Sequence, residues 1–276
     1  MHQVNTNGAN IPAIGLGTWT LEGEAGARLV AHALESGYRH IDTAAFYNNE
    51  EAVGEGIRAS GVARDSIFLT TKIWFTELAD GDLQRSLEAS LKRLDMDAVD
   101  LALIHWPSKV VPMAETIGAL NTALDSGMAR NIGVSNFTTG QIESAVAASR
   151  NPLACNQVEY HPYLNQDRVL EACRKHGMAL VSYCPLGRGG DLFAESAVTD
   201  AAERHGKTPA QVVLRWHVQQ EGVVAIPRSQ NPERIRQNLD VFDFALAADE
   251  VAAIDSLRAR GHRICDFEFS PAWDAA

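Results

Sequence analysis

Short apolar runs alternate with amphipathic helical patterns along this chain, and the pair recurs eight times. The strand candidates are residues 14–19, 40–42, 67–71, 99–104, 131–134, 155–158, 179–182 and 223–226. Helical patterns lie near 24–36, 48–59, 80–93, 113–126, 139–148, 166–175, 195–205 with 208–220, and 231–239. Successive strands separated by helices must run parallel, because each helix carries the chain back to the starting edge, and eight such units favour a closed (β/α)8 TIM barrel over an open sheet. Such a barrel takes about 250 residues. The 276 residues are therefore expected to form one domain over 1–276.

The two ends fall outside the repeat. Residues 3–13 alternate weakly around Asn7-Gly8, a type I′ turn signal, so a β-hairpin is expected to cap the barrel bottom. Thr208-Pro209-Ala210-Gln211 combines an N-cap threonine, a proline at the first helical position and a glutamine placed for a capping box; Asn231-Pro232-Glu233 starts a helix on the same logic. A last helix near 248–258 precedes a tail from Arg260 to Ala276, which carries Phe267, Phe269 and Trp273 with little periodicity. This tail is expected to lie over the active-site face.

Charge and cysteine content narrow the partners. A net charge of −11 disfavours nucleic acid and anionic membrane, which bind through clustered basic residues. Cys155, Cys173, Cys184 and Cys265 show no metal-ligand spacing and read as buried thiols of a reducing compartment. No apolar run approaches the ~20 residues of a membrane span, and the start has no basic segment followed by an apolar stretch. A cytoplasmic monomer without metal is the expectation.

In a parallel barrel, the residues at the strand exits share the face that holds the active site. Here they are Trp19, Asp42, Lys72, His105, Ser135-Asn136, Gln157, Tyr183 and Arg228. Each has an ordinary structural reading: Asp42 as a helix cap, Lys72 as its ion-pair partner, His105 as a satisfied core histidine. Together they suit proton chemistry. A phenol ionises near pH 10, so giving up its proton at neutral pH is helped by an ammonium that favours phenolate, itself held by a carboxylate. Tyr47, Lys72 and Asp42 fit those roles.

These motifs resemble the aldo-keto reductases, NAD(P)H-dependent carbonyl reductases on a (β/α)8 barrel. The resemblance covers nearly the whole chain and rests on Gly15-Leu16-Gly17-Thr18-Trp19, His40-Ile41-Asp42-Thr43-Ala44 with Tyr47, Thr71-Lys72-Ile73-Trp74, Leu103-Ile104-His105-Trp106-Pro107, Gly133-Val134-Ser135-Asn136-Phe137, Asn156-Gln157 and Ile226-Pro227-Arg228-Ser229. In the C-terminal half, Gly206-Lys207-Thr208-Pro209-Ala210-Gln211 and Asn238-Leu239-Asp240-Val241-Phe242 resemble the bacterial 2,5-diketo-D-gluconate reductases of that family.

The resemblance implies a catalytic set of Asp42, Tyr47, Lys72 and His105. Tyr47 would be the general acid, Lys72 and Asp42 the relay lowering its pKa, and His105 the donor that orients the carbonyl. It implies NAD(P)H as cofactor. Thr18, Trp19 and Asp42 would lie near it, Ser135, Asn136 and Gln157 would hold its carboxamide, Tyr183 would stack on the nicotinamide, and Leu186 and Gly187 would follow the pyrophosphate. Ile226, Arg228, Ser229, Arg234, Gln237 and Asn238 match the adenosine-phosphate site. Two positions depart from the usual pattern, with Arg228 in place of lysine and Gln237 in place of glutamate. Arginines make bidentate phosphate contacts, and the Asn231-Pro232 helix start is expected to add free N–H groups, which favours NADPH over NADH.

Trp19, Phe46, Tyr47, Trp74, His105 and Trp106 are the expected substrate contacts for a small-molecule carbonyl, with Phe46 and Phe269 reading equally well as core. Gly187-Arg188-Gly189-Gly190 suits a flexible loop rather than a dinucleotide fingerprint, and His161 reads as structural. The alternative on the same barrel is a non-catalytic NADPH-binding sensor or regulatory subunit, which the complete proton-transfer set disfavours. A metal-dependent hydrolase would need clustered ligands that Lys72 interrupts.

Overall fold

The computed structural model describes residues 2–274; Met1, Ala275 and Ala276, the outer ends of the expected domain and tail, lie outside the described residues. Strands β1 (Gln3–Thr6) and β2 (Ala9–Pro12) form an antiparallel hairpin. Asn7 and Gly8 both have positive φ, 39° and 92°, the backbone a tight primed turn requires. The Asn7 side chain donates to Leu153 O (2.8 Å) and His176 O (2.9 Å), which fastens the hairpin over the barrel bottom.

Eight parallel strands follow: β3 (Leu16–Gly17), β4 (His40–Asp42), β5 (Phe68–Ile73), β6 (Leu101–Ile104), β7 (Ile132–Ser135), β8 (Leu153–Glu159), β9 (Ala179–Tyr183) and β10 (Val223–Ala225). They are hydrogen-bonded in sequence order. A parallel bridge between Ile14 and Ala225 closes the ring, with Gly15 N–H donating to Ala225 O (2.9 Å) and Gly17 N–H to Pro227 O (3.0 Å). Glycine is required at this seam: a Cβ on Gly15 would lie 2.6 Å from the His40 ring and one on Gly17 2.9 Å from Ile226 O.

The helices are α1 (Gly23–Glu35), α2 (Glu50–Ala59), α3 (Asp82–Leu94), α4 (Met113–Asp125), α5 (Thr139–Ala148), α6 (Asp167–Lys175), α7 (Ser196–His205), α8 (Pro209–Val218), α9 (Pro232–Leu239) and α10 (Ala248–Ser256). In α3, Leu83, Leu87, Leu91 and Leu94 recur at helical spacing and are all buried. Each such leucine contributes roughly 2 kcal/mol by leaving water. As expected from sequence, α8 is capped by Thr208 with Gln211 in a capping box, and α9 by Asn231.

Several boundaries differ from expectation for one reason: burial at the barrel interior does not distinguish a strand's last residues from the turn that follows. β5 runs to Ile73, so Lys72 lies inside its strand rather than beyond it, and β8 extends the expected 155–158 to Leu153–Glu159, leaving Gln157 two residues short of the strand's end. The first strand shrinks to Leu16–Gly17, since its flanks are committed to the seam and to the turn at Thr18. Cys155 and Cys173 are buried, as expected, but Cys184, just past β9, and Cys265, in the tail, are only half-buried; all four are free. Among the described residues no helix is long and apolar enough to cross a membrane.

Three of the buried histidines, His40, His105 and His217, are held in the neutral state. Burial pushes His40 and His217 down to about 4, and His105 well below 6.5. The unfolded chain binds protons at these sites near pH 6.5 while the folded one resists, so stability is greatest above that value and falls as pH drops toward 4. A urea titration series should show a loss on the order of a few kcal/mol across that window; a midpoint independent of pH would contradict it.

Candidate active site

Asp42 is the last residue of β4 and pairs in register with Thr70 of β5. Lys72 lies two residues further along β5 and so points to the same face of the sheet. Its Nζ sits 2.5 Å from Asp42 Oδ1, 2.8 Å from Thr43 O and 3.3 Å from the Tyr47 hydroxyl. Tyr47 reaches that point on a short 3-10 turn, Ala45–Tyr47, which Asn48 ends with a left-handed φ of 53°. The turn is stapled from below: Asn49 Nδ2 donates to Thr18 O (2.7 Å) and Leu21 O (3.0 Å), and its Oδ1 accepts from the Thr43 hydroxyl (2.8 Å). Thr18 Oγ1 in turn donates to Asp42 O (3.0 Å).

Lys72 and Asp42 are 0% and 1% exposed, a fully buried ion pair. Gln157 reaches across from β8 and donates to Asp42 Oδ2 (2.7 Å), so both carboxylate oxygens are satisfied. His105 follows β6 directly, and its ring meets Tyr47 edge-on at 5.6 Å between centroids. The four residues expected to perform proton transfer are thus contiguous, although they come from three separate stretches of sequence, Asp42 with Tyr47, Lys72 and His105.

The charge balance differs from the expectation in one respect. Burial raises the Tyr47 pKa above 10, and the Lys72 ammonium offsets this only in part, with Asp42 opposing it. The net shift is upward rather than downward, so Tyr47 stays protonated at neutral pH. Burial pulls Lys72 down, yet Asp42 and Tyr47 outweigh it, and the amine is held as ammonium above 10.5. Burial, aided by the Lys72 charge, keeps His105 neutral. The site therefore presents a phenol with its proton, a fixed cation beside the phenol oxygen, and a neutral imidazole.

Aromatic rings border this centre. Phe46 is 45% exposed, which resolves its reading as core or surface, and is stacked between Trp19 (6.1 Å) and Trp74 (3.8 Å). Trp74 also meets His105 at 5.1 Å and Phe269 of the tail at 5.4 Å. Trp106 differs from its expected place in the wall: it is buried beneath the tail, edge-on to Phe267, Phe269 and Trp273.

Several of the expected cofactor residues are joined to one another and to His105 by hydrogen bonds. Ser135 Oγ donates to Gln157 O (2.8 Å), Asn136 Nδ2 to His105 O (2.9 Å), and the Tyr183 hydroxyl to Asn136 Oδ1 (2.8 Å). The Gln157 amide is engaged by Asp42, a partner that sequence did not suggest. Leu186 and Gly187 lie in two consecutive tight turns, Gly187 N–H to Cys184 O (2.9 Å) and Gly189 N–H to Leu186 O (2.7 Å), so this glycine-rich segment is compact and leads into a 3-10 turn at Gly190–Ala194.

Among the residues expected at the adenosine phosphate, Ile226 and Asn238 are buried and Ser229 Oγ accepts from Asn231 N–H (3.1 Å). Arg228 is tied to Trp19 O (3.0 Å) and to the Thr20 hydroxyl, whereas the exposed Arg234 guanidinium has no ion pair or hydrogen bond among the described residues. Gln237 Nε2 donates to Glu233 Oε1 (3.3 Å). The expected free N–H groups at the start of α9 are not free: Asn231 Oδ1 accepts from Glu233 (2.9 Å) and Arg234 (3.3 Å), because an asparagine N-cap folds back on its own helix.

Residues that sequence reasoning passed over include Thr43 and Asn49, which form the turn beneath Tyr47, and Glu159, a buried acid at the end of β8. The only signal for Glu159 was a charged residue between Val158 and Tyr160 in an otherwise apolar strand.

A buried carboxylate, amine and phenol thus meet at the C-terminal mouth of a (β/α)8 barrel, an arrangement suited to proton transfer. The Aldo/keto reductase family model matches residues 13–259, and the chain belongs to that family. It is 44% identical to morphine 6-dehydrogenase of Pseudomonas putida over 91% of this chain and 89% of that protein, and 46% identical to an aldo-keto reductase of Mycobacterium sp. (strain MCS) over 91% and 88%. Its fold is similar to that of a candidate 2,5-diketo-D-gluconic acid reductase B, with a TM-score of 0.96 at 46% identity over 100% and 98% of the two chains. A Bombyx mori aldo-keto reductase in complex with NADP superposes with a TM-score of 0.88 at 35% identity, over 96% and 95%.

Proposed function

We propose that this protein is a single-domain, monomeric reductase that converts aldehydes and ketones to alcohols with NADPH, and that Tyr47 is its general acid. The observation that carries the reading is the Lys72 ammonium, which touches the Asp42 carboxylate at 2.5 Å and the Tyr47 hydroxyl at 3.3 Å within one buried cluster.

The side chains present suit the cofactor. Ser135, Asn136 and Gln157 would hold a carboxamide by sharing or exchanging the hydrogen bonds their hydroxyl and amide groups make within the protein, Tyr183 would offer its ring for stacking, and Leu186 and Gly187 would follow a pyrophosphate. Trp19, Ile226 and Asn238 would border the cofactor, and Arg228, Ser229, Arg234 and Gln237 would meet its adenosine phosphate. Arg234, exposed and with no side-chain partner among the described residues, is the cation we assign to the phosphate. NADPH supplies the hydride for the carbonyl carbon. As the carbonyl oxygen gains negative charge, the Tyr47 O–H proton passes to it, and the phenolate left behind is stabilised by Lys72. His105, kept neutral, supplies one ring N–H to orient that oxygen. Lys72 is in turn kept charged by Asp42, whose second oxygen is held by Gln157. The stacked Trp19, Phe46 and Trp74 shield the reacting centre from water.

Activity is tested by following NADPH oxidation with a panel of α-keto aldehydes, sugar-derived ketones, aromatic aldehydes and bulky ketones. Oxidation with none of them would defeat the proposal. For cofactor choice, Arg234→Ala should weaken NADPH binding about tenfold or more while changing NADH binding little, as read by fluorescence titration. Equal losses for the two cofactors would remove Arg234 from the phosphate site.

A further inference from the structure

The tail lies across three neighbouring β/α connections. His262 N–H donates to Tyr163 O (2.9 Å), Lys109 Nζ to Glu268 O (2.8 Å), and Thr139 donates through both N–H (2.9 Å) and hydroxyl (2.7 Å) to the Asp274 carboxylate. Its innermost anchor differs from these. Glu159, at the end of β8 and 0% exposed, accepts from two consecutive tail amides, Ile264 N–H on Oε1 and Cys265 N–H on Oε2, each at 2.6 Å.

We propose that Glu159 is the positioning residue that docks the C-terminal tail, and that through the tail it sets the enzyme's preference for bulky, aromatic carbonyls. The inference rests on the carbonyl-reductase reading above.

Among the described residues the carboxylate has no lysine or arginine partner. Its third donor is His161 Nε2, 2.9 Å from Oε1, on a ring that is itself fully buried. Burial pushes the Glu159 carboxyl up, but the bonds from His161, Ile264 and Cys265 outweigh this and keep it ionised. Without the docked tail, two of those three donors are lost, so a buried charge and the tail's path depend on each other.

Two successive N–H groups on one carboxylate also fix the direction in which the chain continues. Just beyond them, Phe267 and Phe269 stack at 5.1 Å and meet Trp106 at 5.8 and 5.2 Å. Phe269 then reaches Trp74, which stacks on Phe46 beside Tyr47. Glu159 touches none of the groups assigned to proton transfer. Its effect should reach only substrates long enough to meet the tail.

Glu159→Gln keeps the side chain's size but replaces one acceptor with an amide that faces a tail N–H. For phenanthrenequinone, kcat/KM should fall about tenfold, mostly through KM, whereas methylglyoxal should change by less than about twofold and NADPH affinity should hold. Hydrogen exchange should show lost protection over 262–274, and trypsin should cut faster at Arg260 and Arg263. A chain ending at Gly261 should show the same substrate split, and adding Glu159→Gln to it should change nothing further.

The inference is overturned if Glu159→Gln leaves the tail protected and the substrate ratio unchanged. It is also overturned if both substrates and NADPH binding fall together while the tail stays protected, which would mark Glu159 as a support of β8 alone. Should the wild-type protein oxidise NADPH with no carbonyl, the carbonyl-reductase reading fails, and exchange over 262–274 still decides whether Glu159 docks the tail.

Discussion

Replacing Tyr47 by Phe is expected to lower kcat/KM for carbonyl reduction by roughly a thousandfold while leaving NADPH binding within a small factor of wild type. The substitution removes one oxygen and its proton, and the ring keeps its edge contacts with Trp19 (5.0 Å) and His105 (5.6 Å), so the pocket should keep its shape. The pH profile offers a second check. Because the Tyr47 pKa is raised, reduction by the wild type should stay level through neutral pH and decline only in the alkaline range above 10. Full turnover by the Phe variant, or a decline centred near neutrality, would assign the proton to another group.

Lys72→Met should be nearly as damaging to turnover, and it should also destabilise the fold. Removing the ammonium leaves Asp42 buried, with Gln157 and no cation as partner. Breaking a buried pair from one side costs about 3–5 kcal/mol, which chemical denaturation can measure. Pairing it with Asp42→Asn removes the uncompensated charge, so the double variant should regain much of the stability and none of the activity. If the single variant were as stable as wild type, the pair would not be carrying the energy its burial implies.

Sequence and structure agree where the physics is local or repetitive. The alternation of strand and helix, the Asn7-Gly8 turn and the Thr208 and Asn231 caps depend on nearest neighbours in the chain, and all are present. The clustering of Asp42, Tyr47, Lys72 and His105 was legible only because a parallel barrel brings its strand ends to one face. Contacts between distant residues were not legible. Nothing in the spacing of residues 42 and 157 shows that the Gln157 amide belongs to Asp42, nor does the tail's composition reveal that its amides end on Glu159. The sign of the Tyr47 shift was also beyond reach, since it depends on how much water the folded site excludes. The helix start at Asn231 shows a related limit: the residue that marks it also consumes the N–H groups it was expected to expose.

The bond between Gln157 and Asp42 has a geometric consequence. In a closed ring of eight strands, β8 and β4 stand four places apart, so this 2.7 Å contact spans a diameter of the barrel rather than an edge. The first half of the chain supplies one end and the second half the other. A chimera that joins the N-terminal half of one relative to the C-terminal half of another would have to reproduce that diameter to within a hydrogen bond, even with every loop intact. Recombination between such halves should therefore fail or succeed at this crossing before it does so at any strand junction.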